Sequence, residues 1–284
     1  MQILRWSTIS DRILILGAGR LARSLIERLP TSRDVAVCRR SFFSELWPGS
    51  VMWSTFGKKE RLRQILRAFR PNRVIICWAP GRGGEHRETY LTGMLDFIHS
   101  VSGVELDQVI YTSSSAVIEG EHGDWIEGDG ILSCPKGERA KNLWEAEEAL
   151  ANWGKDQRVS TLILRLSGLY GRGAWPGRRL LEKGEEMSKP AGGWVNLIHL
   201  DDAAEAVKLG LEKTVEGSWV VSSGPVLRKT LYEATAKSLG LSPPSWPSGL
   251  QDLGKKLDGG GYLNKSGLTL KWSDPLEWVK SQGR

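Results

Sequence analysis

Arg12-Ile-Leu-Ile-Leu-Gly17-Ala-Gly19-Arg20-Leu21-Ala22 begins as a short apolar run, turns on two glycines and leads into residues 20–29, whose apolar positions recur at helical spacing. The order is strand, turn, helix. Pro30 stops the helix, and Asp34-Val-Ala-Val-Cys38 reads as a second strand that runs into Arg39-Arg40. Inside this βαβ unit the glycines fit G-x-G-x-x-G/A. Gly17 makes the tight turn, Gly19 lets a pyrophosphate approach the backbone, and Ala22 allows close packing of helix on strand. Arg20 and Leu21 open the helix, whose N-terminus presents the positive end of its dipole to phosphates. The plainer reading of the same residues is a glycine turn that only packs a helix.

The pattern then repeats along the chain. A strand over 51–56, a basic amphipathic helix over 59–69, a buried strand over 73–78, a helix over 85–100, a strand over 108–112, a helix over 138–153 and a strand over 159–166 follow in turn. Alternation of this kind implies an α/β protein with a doubly wound parallel sheet and helices on both faces. Ala79, just past the fourth strand, falls on the side where such sheets bind ligands. After Tyr170 the texture changes to glycine, proline and arginine over 171–177. The chain is expected to return to the sheet at 194–200, form a helix over 203–212 and enter a strand over 218–222. The resulting division is a dinucleotide-binding domain over 1–170, with 194–222 returning to it, and a smaller C-terminal substrate lobe from 171–193 and 223–284.

Composition removes several classes. At 284 residues, with 40% hydrophobic and 25% charged residues, the chain is not disordered, collagenous or coiled coil. No apolar run approaches the ~18 residues of a membrane span, and the N-terminus shows no secretory pattern, so a cytoplasmic protein is expected. Three widely spaced cysteines, Cys38, Cys77 and Cys134, suit reduced thiols better than a disulfide framework or a zinc site. The net charge of +6 comes from scattered arginines without a nucleic-acid-binding motif, which sets nucleic acid aside as a partner. The 13 tryptophans run from Trp6 to Trp278 without a repeat and read as packing residues.

The end of the second strand bears on the cofactor. About 20 residues past the first glycine an NAD site places an acidic side chain on the ribose, whereas this chain offers Arg39 and Arg40. Two guanidinium groups suit a 2′-phosphate. NADP(H) is therefore expected in preference to NAD(H). The other reading makes one or both arginines solvated surface charges.

With Tyr111-Thr-Ser-Ser-Ser-Ala-Val117 after the fifth strand, the chain resembles the extended short-chain dehydrogenase/reductase superfamily, a Rossmann-like family that includes nucleotide-sugar epimerases and dehydratases. Gly123-Asp-Trp-Ile-Glu127, Leu164-Arg-Leu-Ser-Gly-Leu-Tyr-Gly171, Leu197-Ile-His-Leu-Asp-Asp-Ala203 and Asn264-Lys-Ser-Gly-Leu-Thr-Leu-Lys-Trp272 are similar to further family segments. The likeness spans nearly the whole chain and is strongest to an atypical subgroup of NAD(P)-dependent epimerase/dehydratase-like proteins. It also implies a homodimer, because relatives pair through the helices here placed at 85–100 and 138–153.

The departure from the family lies at its catalytic pair, Tyr-x-x-x-Lys, in which the phenol is general acid or base and the ammonium lowers its pKa. Aligned on Ala146-Glu147, this chain has Arg139 at the Tyr position and Leu143 at the Lys position. Arginine donates no proton near neutral pH and leucine has no polar atom. Ser114 falls at the catalytic serine position, with Ser113 and Ser115 as register alternatives, and reads equally as a substrate contact or a turn-satisfying hydroxyl. Tyr170 is a conceivable substitute acid, or a packed aromatic at a strand end. Arg82, Arg87, Arg139 and Arg172 form either a cationic pocket or a set of paired surface groups. Trp125, Trp175 and Trp194 fall in loops expected over the cleft, where packing remains the plainer role for each. Asp201 or Asp202 is expected to cap the helix that follows, leaving His199 a satisfied buried imidazole and no metal site.

These residues point to an NADP(H)-dependent oxidoreductase or epimerase-like enzyme with a non-standard site, in which Ser114, Arg139 and Tyr170 position and polarise a small polar, anionic or nucleotide-sugar substrate. The alternative is a catalytically silent NADP(H)-binding sensor that signals to a partner.

Overall fold

The computed structural model describes residues 11–31, 33–39, 51–55, 59–80, 85–249 and 252–283. Arg40 and Arg82 lie outside these. The first four strands are β1 (Arg12–Leu16), β2 (Asp34–Arg39), β3 (Val51–Thr55) and β4 (Arg73–Ile76). They are followed by β5 (Gln108–Ser114), β6 (His122–Ile126), β7 (Ser160–Leu166), β8 (Gly168–Tyr170), β9 (Trp194–His199), β10 (Gly217–Val221), β11 (Pro225–Leu227) and β12 (Gly254–Leu257). Seven strands make one parallel sheet in the order β3-β2-β1-β4-β5-β7-β10. The strand order reverses between β1 and β4, which creates the crevice where doubly wound sheets bind ligands.

Burial along β1 shows why the sequence gives this arrangement. Ile13 and Ile15 pack into one face, Leu14 and Leu16 into the other, and none is accessible to solvent. Side chains alternate across a strand, so an unbroken apolar run fits only a strand covered on both faces. One cover is α1 (Arg20–Ile26) with α6 (Leu200–Glu212), meeting through Leu21, Ala22 and Leu25 and through Ala203, Ala204 and Val207. The other is α2 (Lys59–Phe69), α3 (Gly93–Ser100) and α4 (Glu138–Gln157), whose Leu66, Phe97, Leu143 and Leu150 are buried. A π-helical turn, Glu88–Thr92, leads directly into α3.

The C-terminal half departs from expectation in two ways. β9 does not rejoin the main sheet. It pairs with β8 and β11 in a separate three-stranded sheet, so within 194–222 only β10 returns. The segment over 123–127, which the family resemblance implies is a loop, mostly forms β6, which pairs in parallel with β12 from the far end of the chain. Such pairing between distant short segments leaves little periodicity to read. Helices α5 (Arg178–Lys183), α7 (Arg228–Leu239), α8 (Gly260–Ser266) and α9 (Pro275–Gln282) complete the region.

α4 is tied to the sheet by a charge pair inside the core. Arg165 on β7 and Glu147 on α4 are each 2% exposed and meet at 2.8 Å. Arg165 Nε and Nη2 donate to Glu147 Oε2, while its Nη1 donates to the carbonyls of Gly128 and Gly130. Ser113 Oγ donates to Glu147 Oε1 at 2.5 Å, so both carboxylate oxygens have partners. Removing one member of such a pair strands the other charge and costs about 3–5 kcal/mol. Glu147→Leu should therefore lower unfolding free energy by about that amount in urea denaturation, and adding Arg165→Met should restore most of the loss.

Candidate active site

β1 ends at a point where no side chain fits. Gly17 has φ +119°, and a Cβ there would lie 2.6 Å from the Cys77 carbonyl oxygen at the end of β4. Its amide donates to Cys38 O, and the Cys77 amide donates to Leu16 O. Gly19 differs, because a Cβ there would meet nothing within 4 Å. The first glycine is thus required by the fold, and the second faces open space.

That space is a cleft of about 340 Å³ at the strand-order reversal. It runs from Gly19, Arg20 and Leu21 past Cys77, Trp78 and Ala79 to Thr112, Ser113 and Ser114, with Leu166–Leu169 and Leu200 opposite. Of the cofactor residues expected from the sequence, Gly19, Arg20, Leu21 and Ala79 line it, and Gly17, Ala22 and Arg39 do not. Ala22 is completely buried behind the turn, and Arg39 ends β2, one strand away from β1.

The serine strand divides its hydroxyls between two tasks. Ser113 is spent on Glu147, whereas Ser114 lines the cleft and its Oγ accepts the Ala116 amide at 3.2 Å. Ser114 therefore satisfies the backbone turn Ser115–Val117 and faces the cleft at once. Lys255 on β12 clamps the same turn, its ammonium donating to the carbonyls of Ser115 and Ile118.

Other candidates separate. Arg139 is exposed on the first turn of α4 and does not line the cleft; its charge lowers the pKa of Tyr90, a cleft-lining residue on the π-helical turn, against the larger effect of burial. Leu143 is fully buried in the core. Tyr170 does not line the cleft. It packs edge-on against His199 and Trp278, donates its hydroxyl to Trp272 O, and burial raises its pKa, all of which suit an aromatic core residue rather than a proton donor. Arg172 bridges Glu27 and Asp201 at 2.7 and 2.8 Å, the paired alternative to a cationic pocket. Trp175 packs on Trp278, and Trp125 and Trp194 hold the Lys256 ammonium between them. None of these three tryptophans lines the cleft.

The helix cap also falls elsewhere than expected. His199 Nδ1, not an aspartate, accepts the Asp201 amide at the start of α6. Asp201 instead meets Arg28, Arg172 and Ser24, and Asp202 accepts the amides of Lys271 and Trp272. The imidazole is buried, as expected, and burial lowers its pKa.

Sequence reasoning missed Trp78, Tyr90 and Ser167. Trp78 follows a buried strand and reads as its end, but its indole N–H is buried without a partner in the cleft wall. Ser167 Oγ is likewise buried and unpartnered, at the break between β7 and β8. Position just beyond the strand ends at the order reversal is the signal that marks them. Among the described residues no three His, Cys, Asp or Glu side chains could hold a metal, and no helix is long and apolar enough to cross a membrane.

A parallel sheet ordered in this way, with a side-chain-free turn at the head of a cleft across its reversal point, defines a dinucleotide-fold α/β protein. No protein-family model matches the chain. Protein YeeZ of Escherichia coli K12 is 31% identical over 207 residues, 72% of each chain. A protein of Methylobacillus flagellatus classed with the NAD-dependent epimerases/dehydratases is 26% identical, with TM-score 0.73 over 96% of this chain and 97% of its own. UDP-glucose 4-epimerase of Thermus thermophilus, solved with NAD, superimposes with TM-score 0.73 at 20% identity over 96% and 99% of the two chains. MoeE5, solved with UDP-glucose and NAD, gives 0.78 at 21% over 96% and 97%. The chain belongs to the family of protein YeeZ and has the fold of the NAD-dependent epimerases/dehydratases.

His199 yields a prediction with a definite sign. Its folded pKa lies below the ordinary value of about 6.5, so the unfolded chain binds the proton more readily. The stability it contributes is complete above about pH 6.5 and is lost as pH falls toward the lowered folded value. Urea midpoints should fall from pH 7 to pH 5, and His199→Asn, which keeps an acceptor for the Asp201 amide, should flatten that slope.

Proposed function

We propose that the chain is an NADP(H)-dependent oxidoreductase or epimerase-like enzyme acting on a small polar or nucleotide-sugar substrate. The observation that carries this reading is the pairing of Gly17, pressed against Cys77, with Gly19, open to a cleft that continues to Ser114. A dinucleotide fits there: the glycine turn and the start of α1 would receive the pyrophosphate, and Thr112–Ser114 with Leu166–Leu169 would border its reactive end. When bound, the cofactor supplies hydride chemistry. The chain's own part is to orient the substrate through Ser114 and Arg139 and to exclude water between the strand ends. NAD and UDP-glucose in the solved structures of MoeE5 support a nucleotide-sugar class of substrate.

Preference for NADP(H) rests on Arg39 at the end of β2 and Arg40 after it. Tryptophan fluorescence titration tests both parts. NADPH should bind at least about tenfold more tightly than NADH, and Arg39→Ala should remove about 1.4 kcal/mol of NADPH affinity while leaving NADH unchanged. Equal affinity for the two would overturn the preference, and no binding of either would overturn the cofactor reading. Gly17→Ala should abolish binding and cost more than about 1 kcal/mol of stability in urea, because both φ and space forbid the methyl group.

A further inference from the structure

The cleft needs a group that can move a proton, and its walls offer few. The Cys77 thiol is pushed up to about 12 by burial and is turned onto the Gly17 carbonyl. Ser113 is held by Glu147, and Glu147 by Arg165, beneath the cleft wall. Ser114, Thr112 and Ser167 are aliphatic hydroxyls, which need a separate base. Tyr170, the phenol the sequence offers, is packed away from the cleft.

Of the five tyrosines in the chain, Tyr90 alone lines the cleft, and it shares that wall with Ser113 and Ser114. It stands on the π-helical turn Glu88–Thr92, a local widening of the helix that recurs at functional sites. The residue is 7% exposed, and its ring stacks on His86 at 5.9 Å between centroids. Arg139, on the first turn of α4, acts electrostatically on the Tyr90 phenol and opposes the effect of burial. A phenol that lines the cleft with the serine hydroxyls, on a π-helical turn and under the influence of a permanent cation on α4, has what a proton-transfer group needs.

We propose that Tyr90 is the catalytic proton donor and acceptor of this cleft, with Arg139 holding the charge of its phenolate. The assignment rests on the oxidoreductase reading above. In the reductive direction a substrate carbonyl carbon gains the hydride that a reduced nicotinamide dinucleotide supplies, and the carbonyl oxygen takes the Tyr90 proton. The C=O double bond becomes CH–OH, the dinucleotide is oxidised by two electrons, and the phenolate left beside Arg139 recovers its proton from solvent. Oxidation of an alcohol is the reverse. Burial raises the phenol's pKa and Arg139 pulls it back, so the group is protonated at neutral pH and charge-compensated once it has donated.

Two measurements on the full chain test this. Tyr90 ionisation is followed, without cofactor, as the phenolate absorbance lost in Tyr90→Phe. Arg139→Met should shift that transition upward by about one pH unit, and Arg139→Lys by less. NADPH oxidation is then followed with glyceraldehyde, a small polar aldehyde that is not an arginine-modifying dicarbonyl, as the carbonyl probe. Tyr90→Phe should slow it at least about 100-fold while NADPH affinity by fluorescence stays within about twofold, a loss in rate and not in binding. A Tyr90 transition indifferent to Arg139, a Tyr90→Phe protein as fast as the wild type, or no oxidation by wild-type protein saturated with NADPH would each overturn the assignment. Failure of the wild type to bind NADPH would instead overturn the cofactor reading.

Discussion

A guanidinium buried between a strand and a helix sets the frame of this protein. Arg165 cannot leave its place on β7 without stranding a charge in the core, and Glu147 fixes α4 against it. The same arginine holds the carbonyls of Gly128 and Gly130, and the same glutamate holds Ser113. The serine strand, the segment before α4 and α4 itself are therefore registered to one another through a fully satisfied network. Such networks give a single well-defined geometry where a purely apolar contact would tolerate sliding.

That registration matters because α4 carries Arg139, whose charge acts on the cleft-lining Tyr90. A helix rising about 1.5 Å per residue places Arg139 about two turns from Glu147, on the helix that the buried pair ties to the sheet. At the opposite end, the cleft is fixed by Gly17 against Cys77. Between these two anchors lie the residues with unpaired polar atoms, Trp78 and Ser167. Buried donors and acceptors without partners carry a desolvation cost, and a wall that keeps them is a wall shaped for polar contact.

The first half of the chain was open to reading from its residues. Strands buried on both faces are apolar runs, and amphipathic helices between them have the period that gives them away, so the main-sheet strands from β1 to β7 and the helices between them follow from pattern alone, with β6 the exception. The glycine turn was legible because conformation and close approach both demand glycine at position 17. The second half was harder. β8, β9 and β11 are short, and β6 finds β12 across nearly half the chain, so their pairing depends on tertiary contact rather than local period. The site was half legible for a related reason. Ser114 stands at a strand end, where position implies exposure to the cleft. Tyr90 lies inside a helix whose apolar spacing hides it, and only the π-helical turn and the approach of Arg139 single it out. His199 as a cap was equally hidden, since aspartates beside it are the commoner choice and both are engaged elsewhere.

Lys255 links the two halves of the molecule mechanically. Every strand of the main sheet lies before residue 222, so a chain ending there would retain the sheet and the glycine turn. It would lack the ammonium that grips the carbonyls of Ser115 and Ile118. The turn that presents Ser114 is thus built by one part of the chain and tensioned by another. The serine turn is therefore held from a part of the chain more than a hundred residues away, through the Lys255 ammonium beside the backbone pairing of β12 with β6.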